Sequence, residues 1–85
     1  MSKFTPLEVF LKRQRSNSVE LTFSRIEEII ADKLPDSARR YFSWWARYGK
    51  DREGAGVSKA YSNAGFEIVM IDQEYEKVRF RRLGS

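Results

Sequence analysis

Leu7, Phe10 and Leu11 recur at i, i+3 and i+4 behind Thr5-Pro6, which predicts a helix over residues 6–14. Proline sits in its first turn, where a missing N–H leaves nothing unpaired. Ser16-Asn17-Ser18 ends it. Val19-Glu20-Leu21-Thr22-Phe23 then alternates apolar and polar, the mark of a short strand with Val19, Leu21 and Phe23 inward. Ser24 and Glu27 have the spacing of a capping box, so a second helix is expected to start there. Its buried stripe would be Ile26, Ile29, Ile30 and Leu34, and Pro35 would stop it. Asp36 or Ser37 can cap a third helix running into Ala38, Tyr41, Phe42 and Trp45. Residues 49–56, with three glycines and four charges, read as a loop. Val57, Ala60, Tyr61 and Ala64 return to helical spacing, with Gly65 placed for a left-handed helix end. Two alternating runs, 66–71 and 76–82, close the pattern as a β-hairpin around residues 72–75. Phe66, Ile68, Met70, Val78 and Phe80 are expected on its inner face.

The order helix, strand, two helices, loop, helix, hairpin implies an α+β fold. It is winged-helix-like: three or four short helices with a three-stranded antiparallel sheet that includes a C-terminal hairpin, and residues 49–56 as an insertion. At 85 residues the chain is expected to be one domain with its core over about 4–82. Twelve aromatic rings supply much of the apolar area, at about 25 cal/mol per Å² buried.

Composition removes whole classes of chemistry. With no cysteine and no histidine, disulfides, thiol nucleophiles, imidazole bases and cysteine/histidine zinc sites are excluded. Glu27 and Glu28 are neighbours on a helix and Asp72, Glu74 and Glu76 gather at a turn, neither an arrangement that tunes a carboxylate for acid–base work. No enzyme activity, cofactor or metal is expected. The N-terminal residues lack the apolar run of a signal peptide, and no stretch approaches the roughly 20 apolar residues that span a bilayer. The expectation is a cytoplasmic protein with no membrane association.

Charge is segregated along the chain. Residues 1–15 and 39–59 are basic, 16–38 acidic, and the end carries Arg79, Arg81 and Arg82; the net charge is +4. Residues 38–48 interleave arginines with Tyr41, Phe42, Trp44, Trp45 and Tyr48, and nucleic-acid surfaces use both cations and flat rings. Adjacent residues on a helix point about 100° apart, so one tryptophan is expected in the core and the other half-exposed, with Trp44 counted at the surface. Arg39, Arg40, Lys50, Arg52, Arg79 and Arg81 are the expected phosphate contacts. The competing reading pairs Arg39 or Arg40 with Asp36 or the acidic second helix, and the strand arginines with Glu67.

The runs Leu21-Thr22-Phe23-Ser24-Arg25-Ile26-Glu27-Glu28-Ile29 and Leu34-Pro35-Asp36-Ser37-Ala38-Arg39-Arg40, then Trp44-Trp45, Ala64-Gly65 and Val78-Arg79-Phe80-Arg81-Arg82, resemble a group of small uncharacterised prokaryotic domains. The resemblance covers about residues 4–82. Arg47, Val57, Lys59 and Phe66 depart from it, standing where that group has Asn, His, Gln and Trp. The group's polar cluster ahead of a short helix has the look of a base-reading surface. By that resemblance Arg47, Ser58, Lys59 and Asn63 would contact bases here. The expected partner is therefore double-stranded DNA, bound without catalysis through a basic, aromatic-interleaved surface and a hairpin wing. The alternative is a protein-interaction or inhibitory module of phage or defence-system type using the aromatic patch 41–48, with a homodimer as its milder form. The DNA reading gains force if residues 39–59 and 79–82 share one face.

Overall fold

The computed structural model describes residues 3–45 and 52–84, without the side chains of Ser43 and residues 52–55. Arg47, Tyr48 and Lys50 lie outside the described residues, as do residues 49–51 of the expected loop. Residues 52–56 are not loop but the first turns of a helix that begins at Arg52, ahead of the Val57 start that the apolar spacing marks. Among those described, the elements in chain order are α1 (Thr5–Lys12), β1 (Ser18–Thr22), α2 (Phe23–Ile30), α3 (Asp36–Arg40), a 3₁₀ turn (Phe42–Trp44), α4 (Arg52–Asn63), β2 (Phe66–Asp72) and β3 (Lys77–Arg82). The strands form one antiparallel sheet in the order β1-β3-β2. The fold is α+β, with the expected C-terminal hairpin.

The helices cover one face of the sheet. Leu7 and Leu11 of α1, Phe23, Ile26 and Ile30 of α2, and Val57 and Tyr61 of α4 bury against Val19, Leu21, Phe66, Val78 and Phe80. α1 packs on both α2 and α4, and α4 in turn packs on β2.

Four local departures from the sequence reading have identifiable causes. The cap of α2 is Thr22, whose hydroxyl accepts from the Arg25 N–H at 3.0 Å, rather than Ser24. Glu27, the other half of the expected capping box, instead accepts from the Leu34 N–H at 2.8 Å. Helix α2 ends at Ile30, because Ala31 turns left-handed (φ 57°). Leu34 therefore reaches the core from the following loop and not from the helical stripe.

The third helix does not run through to Trp45. Pro35 precedes it, no side chain caps it, and the backbone extends at Tyr41 (φ −121°, ψ 121°). On an unbroken helix the two tryptophans would diverge by about 100°. The break followed by a 3₁₀ turn lets both enter the core, where their rings meet edge to face at 4.7 Å. Trp45 stacks on Phe23 at 5.3 Å and Trp44 abuts Phe4 at 5.9 Å.

In the hairpin, Ile68 pairs with Phe80 but Met70 pairs with Arg79, so Val69 is an extra residue, a β-bulge. The one-residue shift exchanges the faces beyond it. Ile71, opposite Val78, packs against the core, whereas Met70 lies on the outer face with Arg79. Gly65 takes φ +84° between α4 and β2, the left-handed position that glycine occupies without strain.

Candidate nucleic-acid interface

Strand β3 alternates buried Val78 and Phe80 with exposed Arg79 and Arg81. Phe80 faces the helices and meets Tyr61 of α4 at 5.9 Å, so both arginines project from the opposite, outer face of the sheet. There they are ion-paired: Arg79 with Glu20 across to β1 (3.0 Å), and Arg81 with Glu67 across to β2 (2.8 Å). The Glu20 carboxyl is held below its usual range, chiefly by the hydrogen bond from Arg79 and then by the charge of Lys77. Solvent screens exposed pairs of this kind, so they add little net stability and can exchange one anion for another. The hairpin tip opposite their end of the strand is acidic, with Asp72, Glu74 and Glu76.

Arg39 has a different environment. Its Nη1 donates to Glu76 Oε2 at 2.6 Å and its Nη2 to Glu27 Oε2 at 2.9 Å, with the guanidinium 5.8 Å from the Phe23 ring centre. The Glu76 hydrogen bond raises its pKa further above the usual arginine value. The side chain ties α2, α3 and the β2–β3 turn together, so in this structure Arg39 is an internal clamp and not a free phosphate contact. Neighbouring Arg40 is exposed, and among the described residues no ion pair or hydrogen bond engages its side chain.

Two expected contacts are buried. Trp44 is 1% exposed and Ser58 6%, so neither presents its side chain to a ligand. Among the described residues of this segment, the exposed aromatics are instead Tyr41 and Phe42. Trp45 Nε1 donates to the Ala38 carbonyl and the Tyr61 hydroxyl to the Trp45 carbonyl, both at 2.8 Å, which ties the segment to α3 and α4.

Lys59 and Asn63 lie one turn apart on the exposed side of α4. With Phe4, Thr5, Glu8 and Ala60 they line a small cleft of about 170 Å³ between α4 and α1. Asn63 Nδ2 is 3.4 Å from Glu8 Oε1, and Lys12 Nζ is 3.0 Å from Glu8 Oε2. The hydrogen bond from Lys12, then that from Asn63, holds the Glu8 carboxyl below its ordinary value, with the charge of Lys59 adding to it. Arg52 opens α4.

Among the described side chains, Lys59 and Asn63 of α4 therefore do not meet the strand arginines directly. The α4 surface and the outer arginines lie on opposite sides of the sheet. What joins them is the C-terminal end of α1, which carries none of the residues expected at the interface. From Lys59 and Asn63 the surface passes through Glu8 to Lys12, Arg13 and Arg15, all three cations exposed. The 14–17 backbone is then fastened to the end of β3. Arg82 Nη2 donates to the Gln14 carbonyl at 2.6 Å, its Nε to Asn17 Oδ1 at 3.2 Å, and its N–H to the Asn17 carbonyl at 2.7 Å. The sequence signal was the charge run Lys12-Arg13-Gln14-Arg15; what hid its relevance was that β3, about 65 residues further along, supplies the other half.

A second concavity, about 280 Å³ and mostly apolar, opens between Phe42, Tyr61, Phe66, Ile68, Ile71 and Leu83. Among the described residues, no group of three or more acidic side chains is arranged to hold a metal ion. Nor is any helix among them long and apolar enough to cross a membrane.

These features describe a small α+β domain with an ion-paired outer sheet face and a polar, cationic helix side. The chain belongs to the DUF7662 family, a domain of unknown function, whose model matches residues 4–83. No curated protein and no solved structure matches it.

Proposed function

We propose that this domain is a non-catalytic DNA-binding module of winged-helix-like form, acting on the duplex. The observation that carries the reading is the position of α4. It is the last helix before a two-stranded hairpin, in a sheet ordered β1-β3-β2, which is the recognition-helix position of a winged helix-turn-helix. Its exposed side bears Lys59 and Asn63, a cation for phosphate or guanine and an amide for a base edge. Arg47, Lys50 and Arg52 precede or open the helix, and Arg40 is exposed upstream. Arg79 and Arg81 join the proposal as phosphate contacts that would exchange Glu20 and Glu67 for DNA.

Fluorescence anisotropy with labelled duplexes tests this. The expected result is binding that weakens steeply with salt, about 0.9 in log–log slope for each phosphate neutralised. The double variant K59A/N63A should bind more weakly while keeping its fold by circular dichroism. Absence of any association at about 50 mM salt would overturn the reading.

One observation favours a second reading, a protein-interaction module. Tyr41 and Phe42 are 59% and 54% exposed, and Phe42 borders the apolar 280 Å³ concavity. Exposed aromatics beside a recess are what an interface anchor requires. Phe42→Ser should abolish self-association in sedimentation experiments if this patch makes a homodimer, and should leave DNA affinity unchanged.

A further inference from the structure

The C-terminal end of α1 and the connection to β1 carry cations that the α4 reading does not use. Arg13 and Arg15 are both exposed, and among the described residues no ion pair or hydrogen bond engages either side chain. Among the described residues Arg25, Arg39, Arg79 and Arg81 have carboxylate partners, whereas Arg13 and Arg15, like Arg40, do not. The backbone that bears Arg15 is held from both sides, because Arg82 grips the Gln14 and Ser16 carbonyls at 2.6 and 3.3 Å. Arg82 itself lies 4.7 Å over the Phe66 ring, anchored to the core. The Ser16 hydroxyl adds a local turn, donating to the Ser18 carbonyl at 2.8 Å. Ser18 pairs directly with Arg81 in the sheet, which brings the outer arginine row beside the same connection.

The result is a fixed basic corner in which Lys12, Arg13, Arg15, Arg79, Arg81 and Arg82 face three carboxylates, those of Glu8, Glu20 and Glu67. Most of the net charge of +4 therefore gathers where α1 ends and β3 ends. Two guanidiniums held on a clamped turn lose less side-chain and backbone freedom on binding than the same groups on a loose loop. Planar guanidinium forks match phosphate oxygens in pairs.

We propose that Arg13 and Arg15 form a phosphate-backbone clamp for DNA. It extends the contact surface of α4 across the end of α1 to Arg81. The inference rests on the DNA-binding reading and adds a set of contacts that reading does not contain. Since both residues contact backbone and not base edges, they should supply affinity without sequence preference.

The test measures anisotropy of a labelled duplex across a salt series for the wild type, R13Q/R15Q and a charge-matched control, K3Q/K33Q. Lys3 and Lys33 adjoin Asp32, at the other end of α1. The expected result is a log–log salt slope lowered by about 1.8 in R13Q/R15Q, about 0.9 for each lost contact, with the control near wild type. The unfolding midpoint of R13Q/R15Q should match that of the wild type, since among the described residues neither arginine side chain makes an ion pair or hydrogen bond. A wild-type slope in R13Q/R15Q, or an equal fall in the control, overturns the clamp while leaving α4 as the reading surface. Failure of the wild type to bind overturns both.

Discussion

Arg39 and Arg40 are adjacent in sequence and alike in composition, yet the fold assigns them opposite roles. Arg39 sits where three elements converge, and both its terminal nitrogens are engaged by carboxylates. Arg39→Ala would leave the Glu27 carboxylate, already half-buried, with only the Leu34 N–H as a described partner. A loss of about 1–3 kcal/mol is expected from chemical denaturation. Arg39→Lys should recover only part of it, because one ammonium replaces two diverging donors. Arg40→Ala should leave stability within about 0.5 kcal/mol. Nothing local in the sequence separates the two; the second carboxylate comes from Glu76, 37 residues away. The burial of both tryptophans is equally illegible, since it depends on the backbone break at Tyr41. It predicts blue-shifted fluorescence that iodide quenches weakly in the folded protein and strongly after unfolding. The carboxyls of Glu8 and Glu20 have a pH consequence. Both titrate below the ordinary 4.5, because Lys12 and Arg79 respectively hydrogen-bond their ionised forms. Their contribution to stability is thus complete above the unfolded-state value and disappears as pH falls through the lower folded-state value. A urea midpoint that declines on acidification below about pH 4.5, and declines less in E8Q/E20Q, is the expected outcome.

The elements themselves were largely readable, and their ends were not. Periodicity located α1, β1, α2, α4 and both strands of the hairpin, because each carries an apolar stripe that the core then uses. The junctions depended on choices between equivalent local groups. Thr22 and Ser24 are both good helix caps, and the spacing of Ser24 to Glu27 favoured the wrong one. Thr22 won because Glu27 is drawn away to Leu34 and Arg39. Thr22→Ala should therefore cost about 1 kcal/mol and Ser24→Ala much less, a contrast that paired thermal melts will read directly. At the other end of α2, Ala31 holds a left-handed conformation and is exposed. Ala31→Gly should raise stability by about 0.5–1 kcal/mol, which in a domain this size is a rise of several degrees in Tm. The bulge at Val69 was invisible for a similar reason. Strict alternation through Phe66, Ile68 and Met70 fits a regular strand, and only pairing with β3 shows that Ile71 takes the inner position.

At the scale of the whole molecule, charge segregation in the sequence survives folding, but along an axis that sequence order does not show. Lys59 and Asn63 do not meet the strand arginines directly; the end of α1 links the two, through Glu8 on one side and Arg82 on the other. The opposite end holds the hairpin tip with Asp72 and Glu74, together with Glu28 and Asp32 of the α2 region. The two ends should behave differently toward polyanions. R13Q/R15Q should elute earlier from heparin than K3Q/K33Q, although the two variants have the same net charge.

The strand order has a consequence for how the chain reaches this state. Strand β3 lies between β1 and β2, so a chain that stops at the hairpin turn has two strands with no neighbour and an inner face with no Val78 or Phe80 to cover. Pairing Ser18 with Arg81 closes a loop of more than sixty residues, and that entropy is lost before the contacts it permits are gained. Contact order predicts that the hairpin, formed over a few residues, precedes capture of β1 by its free edge. On the ribosome, β1 must wait, solvated, until residues 77–82 have emerged. The grip of Arg82 on the 14–17 turn is then among the final contacts to form. The basic corner is thus a property of the completed domain and absent from its nascent chain.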